Sequence, residues 1–170
     1  MSLDELWAGW RSAYIESGDA GSGGDQPGDC VFCRIARAGD ASVATGVVWR
    51  SDTTMAVLNA YPYASGHLLV MPSRHVGELD DLTPAESYGL WEGTTMAARA
   101  LRSAYGPDGL NLGANLGRVA GAGVPGHLHM HVLPRWAGDT NFMTTVANVR
   151  VIPEALDVSW ERLRSHWPAT

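Results

Sequence analysis

The stretch Gly126-His127-Leu128-His129-Met130-His131-Val132-Leu133-Pro134-Arg135-Trp136 alternates imidazole and apolar side chains through its first half. Period 2 is the period of a β-strand. The pattern therefore predicts a strand over His127 to Pro134, with His127, His129 and His131 on one face and Leu128, Met130 and Val132 on the other. The apolar face belongs to a core, and the imidazole face is left for chemistry. Residues two apart on a strand stand roughly 7 Å apart, which puts the outer histidines about 13 Å from each other and argues against one zinc ion held by all three. Three imidazoles in a row suit an extended anionic substrate instead. A neutral imidazole, with a reference pKa of about 6.5, is nucleophilic at neutral pH without a separate general base, which singles out His129.

Upstream of this strand, the run from Gly117 to Gly126 contains Gly117, Gly121, Gly123 and Gly126. Glycine tolerates left-handed backbone, so such a run can turn N–H groups into an anion-binding concavity, with Gly121 and Gly123 as candidates. Farther back, Thr83-Pro84-Ala85-Glu86 combines an N-cap residue, proline at the first helical position and glutamate at the third. A helix should start at Pro84 and run to the Gly106-Pro107-Asp108-Gly109 turn, with Tyr88, Trp91, Thr95, Ala98, Leu101 and Tyr105 as its buried stripe. Val47 to Arg50 and Thr54 to Asn59 read as a hairpin pair, Gly66 to Met71 as a third strand closed by Pro72, and Leu110 to Asn115 as a fourth. Ile152-Pro153-Glu154 opens a last helix with Leu156, Trp160, Leu163 and Trp167 on one stripe. Strands in meander order, with one long helix between the third and the fourth, predict an α+β fold on an antiparallel sheet.

The N-terminal third is organised differently. Leu3, Trp7, Trp10 and Tyr14 share one helical face, which predicts a docking helix over residues 1–16. Residues 17–29 hold five glycines, a proline and four residues that are Asp or Gln, and read as a flexible linker before a domain over 30–170. Cys30 to Ala38 reads as a short helix.

A chain of 170 residues suits one domain with a core of its own, and a net charge of −6 excludes a broad nucleic-acid or anionic-membrane footprint. Any anion site must be local. All 12 basic residues are arginine, so a side-chain cation at a phosphate has to be a guanidinium or an imidazolium. No basic and apolar leader opens the chain and no apolar run approaches twenty residues, which leads to the expectation of a cytoplasmic protein without membrane contact. The two cysteines stand as Cys30-Val31-Phe32-Cys33. That spacing fits a metal site better than a redox pair, since the parallel βαβ context of thioredoxin-like sites is absent; two buried reduced thiols are the remaining reading.

His127-x-His129-x-His131 with apolar residues between resembles the histidine-triad (HIT) superfamily of nucleotide hydrolases and transferases. The resemblance extends over Asn59-Ala60-Tyr61-Pro62-Tyr63-Ala64-Ser65-Gly66-His67 through Pro72, Asn111 through Gly117, Gly138 through Met143, and Arg150 through Glu154. These segments are similar to the bacterial branch of diadenosine polyphosphate phosphorylases and hydrolases. The resemblance implies a five-stranded antiparallel sheet with one long helix and terminal helices, and a homodimer in which two sheets abut. It implies structural zinc on Cys30, Cys33, His75 and His127, which turns His127 from a catalytic residue into a ligand. It further implies attack by His129 on an α-phosphate through a nucleotidyl-histidine, phosphate contact by His131, ribose binding by Asn59, a phosphate contact from Asn115, and support of the triad by His67. Phe32 and Ile35 are candidates for a base pocket. One departure stands out: relatives commonly carry a polar side chain just before the first histidine, where this chain has Gly123-Val124-Pro125-Gly126. The expected activity is cleavage of dinucleoside polyphosphates or related adenylyl compounds, by water or by phosphate. Alternatives are an adenylyl-phosphoramidate hydrolase, a nucleotide- or zinc-binding module without turnover, and metal-dependent hydrolysis with His127 and His129 as open-site ligands.

Overall fold

The computed structural model describes residues 26–39, 41–139 and 154–169. The docking helix expected over 1–16, most of the linker, and the motif residues 140–153 lie outside the described residues. Helix α1 (Val31–Arg37) is followed by strands β1 (Val47–Arg50), β2 (Thr54–Leu58) and β3 (Leu68–Pro72), a 3-10 turn at Leu79–Asp81, the long helix α2 (Pro84–Tyr105), strands β4 (Gly109–Ala114) and β5 (Met130–Arg135), and helix α3 (Leu156–Ser165).

The five strands form one antiparallel-paired sheet in the order β1-β2-β3-β5-β4, which corrects the simple meander. β3 and β4 both run antiparallel to β5 and are therefore parallel to each other. Parallel strands need a crossover, and α2 provides it, leaving a gap that β5 fills. The histidine strand thereby gains a neighbour on each side.

All five residues of β2 and all five of β3 are buried, because both faces of the sheet are covered. On one face Ala56, Leu58, Leu68, Val70, Leu128 and Val132 pack with α2 and with Leu163 of α3. On the other, Met55, Val57, Leu69 and Met71 pack with Cys30, Phe32 and Cys33 of the α1 segment. The period-2 alternation divides these residues between two cores.

α2 begins and ends as its sequence predicts. Thr83 accepts from the Glu86 amide, the Glu86 carboxylate accepts from the Thr83 amide, Pro84 opens the first turn, and Gly106 closes the helix in the left-handed region at φ 53°. Its buried face is another matter. Tyr88 and Trp91 are 72% and 65% exposed and Thr95 is exposed as well, while Gly89, Leu90, Gly93, Thr94, Ala97, Ala100 and Leu101 are buried. A Cβ at Gly89 would stand 2.6 Å from the hydroxyls of Thr53 and Thr54, and one at Gly93 would meet Val70 at 3.0 Å and Trp49 at 3.1 Å. At Gly89 and Gly93 the helix approaches the sheet so closely that no side chain fits, and Tyr88 and Trp91 are turned outward, while Ala98 and Leu101 of the expected stripe are buried and Tyr105 packs against the core.

α3 runs past the β1 edge. Its stripe largely holds: Leu163 is fully buried, and Trp160 and Trp167 pack against the core, whereas Leu156 at its start is exposed. A register shift between Val47 and Trp49 marks a bulge in β1, and the carbonyls of Val47 and Val48 accept from Trp160 Nε1 at 2.8 Å and Arg164 at 3.2 Å. That edge is capped by side chains. Among the described residues no helix is long and apolar enough to cross a membrane.

Candidate active site and metal cluster

The three histidines straddle the start of a strand, where the sequence alone predicts one continuous strand. β5 begins at Met130, and only His131 lies in the ladder, opposite Leu69 on one side and Gly113 on the other. Pro72 at the end of β3 has no N–H to extend the pairing, so the segment before Met130 peels away, and the Leu128 amide donates instead to the Val76 carbonyl at 2.7 Å. The His127 amide closes a turn onto Val124. His129 and His131 remain neighbours with ring centroids 5.1 Å apart, while His127 turns into a different cluster behind Phe32.

The proton on each ring follows from its partners. His129 Nδ1 stands 2.8 Å from the carbonyl oxygen of His127, which can only accept. Nδ1 therefore carries the hydrogen, and the lone pair sits on Nε2. His129 is 6% exposed, and burial lowers its pKa from 6.5, opposed by the hydrogen bond to His127. The ring is neutral at pH 7. His67 Nδ1 lies 3.1 Å from the Tyr63 amide and 3.2 Å from Asn59 Nδ2, both donors, which makes Nδ1 an acceptor. Neutral His67 then holds its hydrogen on Nε2 and donates it to His131 Nδ1 at 2.9 Å. His131 in turn presents an N–H from Nε2. Tyr63 stacks on His131 at 5.9 Å and 15°, which fixes the ring plane.

The same reasoning gives His127 the tautomer opposite to that of His129. Its Nε2 lies 2.8 Å from the Pro72 carbonyl and must donate, so the Nδ1 lone pair faces Cys30 Sγ at 3.4 Å and Cys33 Sγ at 3.7 Å. His75 Nδ1 is 3.3 Å from Cys33 Sγ, and the ligand atoms of Cys30, Cys33, His75 and His127 all lie within 4.8 Å of one another. Bond lengths of about 2.3 Å to sulfur and about 2.0 Å to nitrogen place tetrahedral ligands roughly 3.3–3.8 Å apart, a range that holds the Cys30–His127, Cys33–His127 and Cys33–His75 distances. Burial first, and then the Cys30 thiol beside it, push the Cys33 thiol up to about 11, and burial holds His127 down at about 4. Both groups gain from a cation between them. The four ligands come from three places: Cys30 and Cys33 from the start of α1, His75 from the loop after β3 and His127 from the segment before β5.

Above His129 and His131 opens a cavity of about 730 Å³ lined by Phe32, Ile35, Asn59, Asn115, Gly121 and Gly123. Every sequence-predicted substrate residue is thus placed on it, except His67, which stands behind His131. Asn59 also has a local task, since its Oδ1 accepts from the Tyr61 amide at 3.0 Å. The glycine run is not an open nest throughout. Gly117 and Gly121 take φ of 77° and 91°, and the amides of Gly121 and Ala122 close onto the carbonyls of Arg118 and Gly117. Asn115 Nδ2 braces this turn through the Gly121 carbonyl at 3.4 Å.

Several lining residues escaped sequence reasoning. Arg118 is the one guanidinium on the cavity wall among the described residues, and Tyr61 and Tyr63 stand at its mouth. Leu156, Asp157 and Trp160 reach it from α3. A lone arginine in a glycine-rich turn carries no period that marks it, and the docking of α3 is a long-range event.

Residues 41–138 match the family described as the HIT domain. A protein named AP-4-A phosphorylase from Mycobacterium tuberculosis is 39% identical over 171 residues, covering 97% of this chain and 85% of that protein. The asymmetrical bis(5'-nucleosyl)-tetraphosphatase of Schizosaccharomyces pombe is 34% identical over 97 residues, covering 57% of this chain and 53% of its own length. Among solved structures, a Zn-bound histidine triad family protein from Mycobacterium smegmatis is similar at a TM-score of 0.66 and 29% identity, covering 83% of this chain and 94% of that one. With the family's domain matched across more than half its length and a relative aligned along nearly all of it, the chain belongs to the histidine-triad, or HIT domain, family.

Proposed function

We propose that this protein is a nucleotide-processing enzyme that cleaves dinucleoside polyphosphates at an α-phosphate through His129. The observation that carries the reading is the His127 carbonyl, which holds the His129 Nδ1 hydrogen and leaves the Nε2 lone pair at the cavity. The phosphorylase and tetraphosphatase relatives support the substrate class.

Attack by Nε2 forms a P–N bond and breaks the P–O bond to the departing polyphosphate. The ring becomes a nucleotidyl-imidazolium, and the carbonyl of His127 meets the positive charge that develops on Nδ1–H. His131, oriented by His67, offers its Nε2–H to phosphoryl oxygen as negative charge builds there. Arg118 takes the place of the polar side chain missing from 123–126 and meets the outer phosphates. In the second step an oxygen of water or inorganic phosphate attacks phosphorus, the P–N electron pair returns to Nε2, and the proton of the incoming group leaves to solvent.

Cys30, Cys33, His75 and His127 would hold zinc with four protein ligands, leaving no open position for a water. Bound there, the ion would supply fixation of α1 against the loops that carry the triad. Asn59 would address the ribose, while Phe32 and Ile35 would form part of a base pocket. We further read the chain as a homodimer that joins through its exposed β4 edge.

Chromatography of products from diadenosine tetraphosphate, with and without inorganic phosphate, tests the reading. ADP plus ATP formed only with phosphate marks a phosphorylase, and AMP plus ATP formed regardless of phosphate marks a hydrolase. No product in either case removes the proposal.

A further inference from the structure

The cavity has two ends, and sheet register measures the distance between them. Val47 pairs with Val57, Val57 with Leu69, and Leu69 with His131, so one row of residues crosses from β1 to β5. Val57, Leu69 and His131 all line the cavity floor. Three strand spacings separate β1 from β5, about 14 Å in all. An extended nucleoside 5'-monophosphate covers such a span, from its phosphorus to the exocyclic group of its base and the hydrogen bond beyond.

Trp160 stands at the β1 end, because its Nε1 donates to the Val47 carbonyl at 2.8 Å. It lines the cavity together with Asp157, one turn earlier on α3. The helix that carries them is firmly held. Leu163 is fully buried, Arg164 donates to the Val48 carbonyl, and the Glu154 carboxylate just before the helix accepts from Tyr105, Ser159 and Arg162. The rest of this end is Ile35, Val43, Ala44, Thr45 and Gly46, an apolar surface apart from the Thr45 hydroxyl, which is engaged locally by the Ser42 hydroxyl and carbonyl and by the Val47 amide. Asp157 uses Oδ1 on the Val158 amide at 2.9 Å, and a carboxylate with two oxygens has further acceptor capacity.

We propose that α3 builds the far wall of the nucleobase subsite, with Trp160 as its aromatic surface and Asp157 as the acceptor that selects a purine bearing an exocyclic amino group. This inference rests on the nucleotide-processing reading, and it names the base that the reading leaves open. A carboxylate favours an amino hydrogen and penalises a base that cannot donate.

Equilibrium binding of AMP and of purine riboside 5'-monophosphate, which lacks only the amino group, tests it by calorimetry on the full chain. The unaltered protein should bind AMP about tenfold more tightly. Asp157→Ala should reduce that ratio to about one, and Trp160→Leu should weaken both ligands by about tenfold while keeping the ratio. A first-turn aspartate that only favours the helix dipole would shift the melting temperature of Asp157→Ala and leave the ratio intact, which would overturn the proposal. Equal binding by the unaltered protein, or none, overturns it too. Binding needs no turnover, so the two readings fail separately: a ratio of one alongside product from diadenosine tetraphosphate removes the base subsite alone.

Discussion

His129 and His131 differ in which nitrogen holds the hydrogen, and backbone groups decide it. The His127 carbonyl makes His129 an Nε2 nucleophile, and the Tyr63 amide, acting through His67, makes His131 an Nε2 donor. His129→Ala should lower turnover by at least about 10³-fold, read in a steady-state assay, with metal content and melting temperature unchanged. The pH profile carries its own sign. Burial lowers the His129 pKa below 6.5, and only the neutral ring attacks, so the acid limb of kcat/KM should fall below pH 6.5 and the rate should stay level above it. An acid limb centred above 6.5 would remove His129 as the group responsible. The choice of His129 was legible in the spacing of the triad; the tautomers were not, because the groups that set them are carbonyls and amides brought in by the fold.

At the level of elements, α2 shows where periodicity misleads. Its cap, its proline and its terminal glycine are local chemistry and could be read directly. Of the stripe Tyr88, Trp91, Thr95, Ala98, Leu101 and Tyr105, the second half packs inward as expected, but Tyr88, Trp91 and Thr95 are exposed, because a helix that lies close on a sheet needs Gly89 and Gly93 there. β4 shows a related limit. Among the described residues it pairs with β5 on one side only and is the outer strand of the sheet, and it carries Leu112 at 48% exposure, whereas the opposite edge is capped by Trp160 and Arg164. An uncovered edge is a pairing template. If two chains join there, Leu112→Lys should shift the mass in sedimentation from twice the 18.2 kDa chain toward a single one. A single-chain mass for the unaltered protein would exclude the dimer.

Across the whole molecule, the Cys30, Cys33, His75 and His127 cluster joins segments far apart in sequence, Cys33 and His127 being 94 positions apart. A cation there would close long loops and hold α1, with Phe32 and Ile35, against the cavity floor. Metal removal by a chelator should lower the melting temperature by about 10 °C or more. Activity per folded molecule should survive below that transition; its complete loss in folded, metal-free protein would point to a catalytic ion instead. Local and periodic information was enough to read the triad, the helix caps, most strand positions, the cysteine spacing and the family resemblance, because each is written within a few residues of itself. Only tertiary structure decided that β5 lies between β3 and β4, that Pro72 ends the pairing beside His129, that small residues face the sheet, and that α3 reaches the cavity. These outcomes depend on which surfaces can approach closely enough to exclude water, and that is a property of the packed chain.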